Sequence, residues 1–291
     1  MKKISFTKMS GAGNDFILLD KKINPSFELV PDVVGKLCHR RTGIGADGIL
    51  VIGDHPDFDF TMEYYNSDGS TGTLCGNGAR CALWYAQISG RLKKGPLARF
   101  ISGDVVYSGE ILAENRVKFN LGNPKDFKFN FDLVACEQYA LASFVHTGSP
   151  HVVVNIQQIF GDIKRKDPLY KEISKLPVYD LGREIRYLPE FAPGGTNVNF
   201  IDIKDGIVHI RTYERGVEDE TLACGTGSVA SALICYFNYG LKPPVTLITK
   251  NGSQLVVNFE VDENKDVKNV SLSGPAEVTF SGEFFQTMYF K

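Results

Sequence analysis

The sequence lacks the long apolar runs and the charge excess that mark several large classes of protein. No segment approaches the roughly 20 apolar residues that span a bilayer, and the opening residues, MKKISFTKMSGAGNDF, lack the apolar stretch of a signal peptide. Lys and Arg number 32 against 34 Asp and Glu, which leaves no basic excess for a nucleic acid or an anionic membrane. We therefore expect a cytoplasmic protein that binds neither nucleic acid nor membrane.

The sequence also lacks the commonest metal and nucleotide motifs. Six cysteines in 291 residues are too few for a disulfide scaffold, and no CxxC pair supports a zinc site. Neither GxxxxGK[ST] nor a nucleophile elbow occurs. GIGADG at 43–48 has the letters of a dinucleotide loop, but it follows a helix-like segment and precedes a strand-like one. Because a dinucleotide loop needs the reverse order, we reject nucleotide binding.

One pattern occurs twice, about half a chain apart. TLCGNGARCALWYA starts at Thr73 and TLACGTGSVASALICY at Thr221, and both place a cysteine before a glycine pair and an apolar segment. Each apolar segment ends near a glycine, Gly90 or Gly240, and is followed by three strand-like stretches joined by turns. The chain is long enough for two domains, and its hydrophobic fraction of 43% can supply two cores. The repeat predicts two copies of one α/β unit, each with a sheet wrapped around a buried helix.

The repeated cysteines stand where a helix begins. The first N–H groups of a helix have no intrahelical partner and carry the positive end of the helix dipole. A Cys-Gly-x-Gly entry therefore offers N–H groups to a carboxylate and lowers the pKa of the thiol. Two such sites facing each other across a cleft would place a base and an acid on opposite faces of one carbon, the geometry of stereochemical inversion by proton transfer.

Most cysteines before helices are simply buried hydrophobic residues, and only the repetition favours a functional role for Cys75 and Cys224. The other four cysteines lack this context, and we expect them to pack in the core. They are Cys38, Cys81, Cys136 and Cys235.

Several polar residues allow two interpretations. His151, in TGSPHVVVN, is either a hydrogen-bonded histidine at a strand start or a group that polarises a thiol, and the sequence favours neither. Glu214 and Arg215 end an alternating strand and are either surface charges or a clamp for the ammonium and carboxylate of an amino acid. Asparagines 14, 66 and 197 lie in turn-like settings, where asparagine is common.

Eight dispersed motifs resemble those of the diaminopimelate epimerase family: GAGNDF, RTGIGADG, NSDGS, LCGNGARC, SPH, NVNF, YERG and ACGTG. They follow this order across nearly the whole chain. The resemblance implies a homodimeric enzyme without cofactor or metal that interconverts LL- and meso-diaminopimelate, an amino-acid substrate. It also implies an α/β (α+β) fold of two pseudo-symmetric lobes, each a barrel-like, mostly antiparallel sheet around a central helix. We expect the N-terminal lobe to span 1–122 plus 276–291, and the C-terminal lobe 123–275.

The resemblance also implies a role for each matching residue. Cys75 and Cys224 would be the catalytic thiols, with the reacting carboxylate on the N–H groups of Gly76–Asn77 and Gly225–Thr226. The remaining substrate-binding residues would be Asn14, Asp47, Asn66, Ser149, His151, Asn197, Glu214 and Arg215. The chain departs from the family pattern at Ser149, where asparagine is usual, and in the loop 216–221, which has one additional acidic residue.

Two alternatives remain open at this point. A related two-thiol racemase acting on proline or histidine would use the same pair of cysteines, but has less use for Glu214 and Arg215. A thiol redox switch would form a reversible Cys75–Cys224 bond with no substrate, and leaves the Asn, Glu and Arg residues unexplained.

Overall fold

The computed structural model describes residues 2–71, 74–93, 97–162, 164 and 167–286. The contacts divide the chain into two compact units, Met1–Asn120 with Ser273–Lys291 and Leu121–Leu272. Each unit is described separately below.

Within its described residues, the first unit combines eight strands with two helices. Its elements are β1 (Lys3–Gly11), β2 (Asn14–Asp20), α1 (Pro31–Cys38), β3 (Gly48–Gly53), β4 (Phe60–Asn66), α2 (Gly76–Ile88), β5 (Ala98–Ser102), β6 (Val105–Ala113) and β7 (Arg116–Asn120). The second unit contributes β8 (Lys125–Ala135), β9 (Gln138–His146), β10 (Pro150–Phe160), α3 (Val178–Arg186), β11 (Asn197–Lys204), β12 (Ile207–Glu214), β13 (Asp219–Thr221), α4 (Gly225–Tyr239), β14 (Val245–Ile248), β15 (Gln254–Val261) and β16 (Val267–Pro275), with short 3-10 turns at Ile173–Lys175 and Pro189–Phe191. The last strand, β17 (Glu277–Phe285), returns to the first unit and pairs with β1.

The same series of strand pairings occurs in both units. In the first, β17, β1 and β2 pair antiparallel, β2–β3 is parallel, β3–β4 antiparallel, β4–β5 parallel and β5–β6 antiparallel. In the second, β8, β9 and β10 pair antiparallel, β10–β11 is parallel, β11–β12 antiparallel, β12–β14 parallel and β14–β15 antiparallel. The predicted α/β class with a mostly antiparallel sheet is thus confirmed.

One helix of each unit lies against most of the strands of its own unit. Helix α2 contacts β1–β4, β6 and β7, and α4 contacts β9–β12, β14 and β15. Small residues make this approach possible. A Cβ on Gly11 of β1 would lie 2.8 Å from the backbone oxygen of Asn77, so the strand can touch the first turn of α2 only through a glycine. Both helices are buried along most of their length, as the apolar sequence predicts.

The two helices begin and end where the sequence pattern indicates. Cys75 and Cys224 are the N-cap residues, with extended backbones, and α2 and α4 start at the following glycine. Helix α4 ends at Gly240, which adopts the left-handed conformation at φ 74° and donates its N–H to the carbonyls of Cys235 and Tyr236. The segments after each helix form the three predicted strands, β5–β7 and β14–β16.

The glycine loop at 43–48 joins helix α1 to strand β3. This order is the reverse of a dinucleotide-binding loop, in agreement with the sequence prediction. No helix among the described residues is long and apolar enough to cross a membrane.

Candidate active site

The two repeated cysteines cap two buried helices without using their side chains for capping. Cys75 has φ −83° and ψ 119°, Cys224 has φ −118° and ψ 116°, and neither makes a side-chain capping hydrogen bond. Cys75 is half-buried and Cys224 is buried, 7% exposed. Gly76 and Gly225, the first helical residues, are buried and carry no side chain over the helix end. Each helix therefore presents a thiol beside its positive terminus.

An asparagine pair surrounds the first thiol. Asn14 starts β2, and its Oδ1 accepts hydrogen bonds from the Cys75 thiol at 3.6 Å and from Nδ2 of Asn77 at 3.5 Å. The Asn77 side chain is held in place by Arg80, whose Nη2 donates to Asn77 Oδ1 at 2.9 Å. Three residues predicted for the site, Asn14, Cys75 and Asn77, are thus brought together.

The Asn14 amide is oriented by a charged cluster. Its Nδ2 donates to Asp47 Oδ2 at 2.5 Å, so that Oδ1 must face the thiol. Arg40 pairs with both Asp15 and Asp47, and the buried Lys8 lies 2.7 Å from Asp15. Burial opposes ionisation of Asp15, but the hydrogen bonds and charges of Arg40 and Lys8 outweigh it and hold its pKa at about 2. Burial and the neighbouring charge of Asp15 raise the pKa of Asp47.

Asn66 belongs to a turn. It ends β4, and its Nδ2 donates to Ser70 Oγ at 3.0 Å while its backbone N–H donates to the Ser70 carbonyl at 2.9 Å. The side chain is therefore tied to this turn rather than to the Asn14–Asn77 pair.

A hydroxyl and imidazole network surrounds the second thiol. Nε2 of the fully buried His151 lies 2.9 Å from both Ser149 Oγ and Thr226 Oγ1. Thr226 Oγ1 in turn lies 3.6 Å from Sγ of Cys224. The other ring nitrogen, Nδ1, is 3.0 Å from Nδ2 of Asn199. His151 is thus a fully hydrogen-bonded histidine at a strand start, and it reaches the thiol through Thr226.

Burial, with smaller contributions from His146 and Arg215, lowers the pKa of His151 to about 3. The imidazole is therefore neutral near pH 7. A neutral ring can polarise the thiol only through the direction of its hydrogen bonds, since it carries no charge.

Asn197, Glu214 and Arg215 lie close together at the ends of β11 and β12. Asn197 Oδ1 accepts from the backbone N–H of Arg215 at 2.9 Å, and its Nδ2 donates to the Pro150 carbonyl at 2.9 Å and to Ser149 Oγ at 3.5 Å. Glu214 Oε2 accepts from Thr221 Oγ1 at 2.8 Å. Arg215 is exposed, and no carboxylate among the described residues pairs with its guanidinium. It is thus available to a ligand carboxylate.

The acidic residues of the loop 216–221 serve the fold. Glu218 accepts from Nη2 of Arg186 at 2.9 Å and from the backbone N–H of Gly216 at 2.9 Å. Glu220 is bound by Arg211 and Lys250. Burial opposes ionisation of both carboxylates, but these cations and hydrogen bonds lower their pKa values.

Three of the other cysteines are core residues, as predicted. Burial raises the pKa of Cys38, Cys81 and Cys235 to about 12 in each case, which leaves them protonated and unreactive. Cys136 differs from the prediction because it is only half-buried in the β8–β9 turn, at φ 49°. It packs against the edge of the second unit's core, and burial and Glu184 raise its pKa to about 11.

Two residues of the site were missed in the sequence. Arg80 is fully buried in α2, where it donates a hydrogen bond to Asn77. Asn199 is fully buried against Gly227, in the first turn of α4. Asn199 is two residues beyond Asn197 in a buried strand, and a second asparagine on the same face of an apolar strand is a signal that could have identified it. No cluster of three or more His, Cys, Asp or Glu side chains suited to a metal occurs in the described ranges.

The sequence profile of the diaminopimelate epimerase family matches residues 6–126 and 143–279. The chain belongs to this family. It is 40% identical to the diaminopimelate epimerase of Chlorobaculum tepidum over 94% of this chain and 98% of the relative. It is 36% identical to the diaminopimelate epimerase of Aquifex aeolicus over 96% of this chain and 97% of the relative.

Solved structures with low sequence identity share the fold. A phenazine biosynthesis protein of the PhzF family from Bacillus anthracis superposes with a TM-score of 0.70 at 13% identity, covering 98% of this chain and all of its own. A probable proline racemase from Agrobacterium radiobacter superposes with a TM-score of 0.71 at 13% identity, covering 97% of this chain and 93% of its own. At this identity the likeness is one of fold alone.

Proposed function

We propose that this chain is a diaminopimelate epimerase, an isomerase that interconverts LL- and meso-diaminopimelate without a cofactor in lysine and peptidoglycan precursor biosynthesis. The observation that carries the proposal is the repeated N-cap cysteine, at Cys75 and Cys224, on two buried helices in a chain of this family. The alternative racemase lacks a specific observation in its favour, because the likeness to a proline racemase extends to the fold only.

In the proposed reaction one cysteine is a thiolate and the other a thiol. The thiolate takes the α-proton, and the electron pair of the broken C–H bond is delocalised into the adjacent carboxylate. The opposing thiol then gives its proton to the other face of the carbon, which forms the new C–H bond and leaves that sulfur as the thiolate. The enzyme thus gains and loses one proton per turnover, and the return reaction exchanges the two roles.

An amino-acid α-proton is far less acidic than a thiol, so proton transfer alone is insufficient. The N–H groups at Gly76–Asn77 and Gly225–Thr226 would stabilise the charge that develops on the carboxylate. Asn14, oriented by Asp47, would fix the position of Cys75.

The distal amino-acid group of the substrate would be recognised by polar residues that matter less to the chemistry. Arg215 would bind the distal carboxylate and Glu214 the distal ammonium. We assign Asn66, Ser149 and Asn197 to the same role. Ser149 is shorter than the usual asparagine, and Asn197 Nδ2 already donates to its hydroxyl.

We further propose that the two domains are 1–122 with 276–291 and 123–275, and that the enzyme is a cytoplasmic homodimer. Residues 1, 72–73, 94–96 and 287–291 of the first domain lie outside the described residues, as do residues 163 and 165–166 of the second. Sedimentation equilibrium of the purified protein tests the dimer, and a single species of 32.2 kDa would contradict it.

Proton NMR of the reduced protein with meso-diaminopimelate in deuterated water tests the function. Loss of the α-proton signal with diaminopimelate, and none with proline or histidine, is the expected result. Exchange with proline or histidine alone would overturn the substrate but retain the two-thiol chemistry. Exchange with no amino acid would favour the redox alternative.

Single cysteine variants test the mechanism. Cys75→Ala and Cys224→Ala should each abolish epimerisation, because each removes one of the two proton-transfer groups. Cys81→Ala is the matched control, since Cys81 lies in the same helix as a buried, protonated thiol. Turnover in both single variants would sink the two-base mechanism.

A further inference from the structure

Different kinds of side chain pack against the first turn of the buried helix in the two units. Below the first turn of α2 lie Phe16 and Leu50, and a Cβ on Gly78 would meet their side chains at 3.6 and 3.0 Å. Phe16 pairs with Gly48 across the parallel strands β2 and β3, and Leu50 is two residues further along β3.

In the second unit the same register positions hold a polar pair. His151 pairs with Asn197 across the parallel strands β10 and β11, and Asn199 is two residues further along β11. Both side chains are fully buried. Phe16 and Leu50 occupy these positions in the first unit, so the fold itself does not need polar residues there. The role of the His151–Asn199 pair is therefore specific to the second unit, which contains Cys224.

The Asn199 amide has only one orientation that satisfies its neighbours. One end lies 3.0 Å from the Val152 carbonyl, which can only accept a hydrogen bond, so this end is the NH₂ group. The same NH₂ group lies 3.0 Å from Nδ1 of His151, while Oδ1 accepts from the Thr212 hydroxyl at 3.0 Å. Nδ1 of His151 is therefore an acceptor, and the single proton of the neutral ring resides on Nε2.

The position of the amide is sterically fixed as well. A Cβ on Gly227, in the first turn of α4, would lie 2.2 Å from Asn199 Oδ1. The helix start thus leaves room for the amide only because residue 227 is glycine.

The proton on Nε2 decides the direction of the remaining hydrogen bonds. Ser149 Oγ and Thr226 Oγ1, both 2.9 Å from Nε2, cannot donate to a nitrogen that already carries a proton. The hydroxyl proton of Thr226 is therefore directed to its other neighbours, Ser149 Oγ at 3.2 Å and Cys224 Sγ at 3.6 Å. An anionic sulfur is the stronger acceptor of the two.

We propose that Asn199 is a positioning residue, which holds His151 with its proton on Nε2 and thereby directs the Thr226 hydroxyl to donate to the Cys224 thiolate. The inference deepens the proposed function, in which Cys224 is a working thiolate. It makes His151 a fixed hydrogen-bond donor rather than a base.

Nitrogen NMR of the full-length, ¹⁵N-histidine-labelled protein at neutral pH tests the first step without any variant. The His151 signals should show Nε2 protonated and Nδ1 unprotonated, with His151→Phe used to assign them. A proton on Nδ1, or a ring with both nitrogens protonated, would overturn the proposal. The result does not depend on any enzymatic activity.

Asn199→Leu tests the residue itself and copies the Leu50 of the first unit. Without the amide, Nδ1 and the Val152 carbonyl are two neighbouring acceptors, so the ring proton should move to Nδ1 and Nε2 should become an acceptor for the hydroxyls. Thr212→Val is the matched control, because it removes a buried neighbour of Asn199 but retains the NH₂ contacts, and it should leave the proton on Nε2.

Iodoacetamide alkylation read by peptide mass spectrometry tests the second step, with Cys75 in the same sample as the reference. A hydrogen bond to a charged group implies that alkylation of Cys224 at neutral pH slows by about tenfold in Asn199→Leu and in Thr226→Val. Thr226→Ser should restore the rate lost in Thr226→Val, and Thr212→Val should retain the original rate. Unchanged Cys224 rates in both Asn199→Leu and Thr226→Val would overturn the proposal.

If Asn199→Leu fails to fold, the nitrogen NMR of the unsubstituted protein and the Thr226→Val alkylation rate decide the proposal, because neither requires a substitution at Asn199. The two readouts also separate this inference from the proposed function. Absence of diaminopimelate exchange would overturn the function and leave the proton position and the Cys224 reactivity to be judged independently.

Discussion

At the scale of single residues, Arg80 has an unusual environment. Its side chain is fully buried, and the guanidinium donates to three neutral oxygens: Asn77 Oδ1, the Gly76 carbonyl and the Pro275 carbonyl. Burial lowers its pKa to about 10, while the nearby thiols of Cys81 and Cys75 act in the opposite direction. In the part of the chain that the structure describes, no carboxylate pairs with Arg80, and a buried cation without one contributes little to stability. We therefore expect its role to be the positioning of Asn77 beside Cys75.

Arg80→Met should therefore reduce activity more than stability. Losing the anchor of Asn77 should lower the rate of α-proton exchange at least about tenfold, as expected when a hydrogen bond to a charged group is lost. The free energy of unfolding should change by no more than about 2 kcal/mol, because removal of the desolvated charge offsets the lost hydrogen bonds. Urea unfolding and proton exchange measured on the same sample check both parts.

The matched control is Arg91→Met in the same unit. Arg91 lies 2.5 Å from Asp20, and the two side chains are 6% and 4% exposed. This substitution leaves a buried carboxylate without its cation and should cost about 3–5 kcal/mol. Equal losses of stability in the two variants would refute the distinction between the two arginines.

His151 gives the molecule a pH-dependent stability. Its pKa of about 3 in the fold lies below the ordinary 6.5, so between these values the unfolded chain binds a proton that the folded chain does not. The contribution of His151 to stability is therefore fully present above pH 6.5. The free energy of unfolding should fall by about 1.4 kcal/mol per pH unit as the pH decreases from there towards 3. Asp15, whose pKa is lowered from 3.8 to about 2, adds a loss of stability between these two values, and His146, whose pKa is lowered mainly by its burial, adds to the slope above them.

Urea unfolding from pH 6.5 to 4.5 measures the effect. His151→Phe should reduce the slope of stability against pH by about one proton, whatever it does to the absolute stability. The same slope in wild type and His151→Phe would contradict the prediction.

At the scale of elements, the two helix starts differ in what a methyl group would meet. A Cβ at Gly227 would contact the fixed amide of Asn199 at 2.2 Å, whereas a Cβ at Gly78 would contact the end of Leu50 at 3.0 Å. A leucine end can shift by a few tenths of an ångström, but an amide with three hydrogen-bond partners cannot do so without breaking them.

Gly227→Ala should consequently destabilise the protein by at least about 2 kcal/mol, in the range of overpacked cores. Gly78→Ala should be close to neutral, because the helix propensity of alanine, worth about 1 kcal/mol over glycine, offsets the small displacement. Thermal unfolding of the two variants side by side provides the comparison. A larger loss in Gly78→Ala would contradict the assignment of the two sites.

The elements around the cysteines could be predicted because their signals are local. The glycine at each helix entry, the apolar helix and the three following strands give a pattern that occurs twice, and both helices start at the residue after the cysteine. The supporting residues could not be predicted in the same way. Arg80 and Asn199 act through partners 3 to 195 positions away, and nothing local distinguishes a buried arginine in a helix from an exposed one.

At the scale of the whole molecule, the second unit is continuous in sequence and the first is not. The second has its own hydrophobic core, formed by side chains of β8–β12 and α3. A fragment of residues 121–275, which retains all of β16, should therefore fold by itself but show no epimerase activity, since it contains Cys224 without Cys75.

Dispersed amide signals in a proton–nitrogen correlation spectrum and a cooperative urea transition would confirm the folded fragment. The matched fragment 1–120 lacks β17 and should show neither property, because β1 then becomes an exposed edge strand. A folded 1–120 fragment, or an unfolded 121–275 fragment, would contradict this division.

The pairing of β1 with β17 also sets an order of events during synthesis. Residues 3–10 are translated long before the strand that pairs with them, at 277–285. The strands β8–β16 are therefore translated while one edge of β1 is still uncovered. Chains that terminate before β17 would therefore expose this edge to chaperones and to one another.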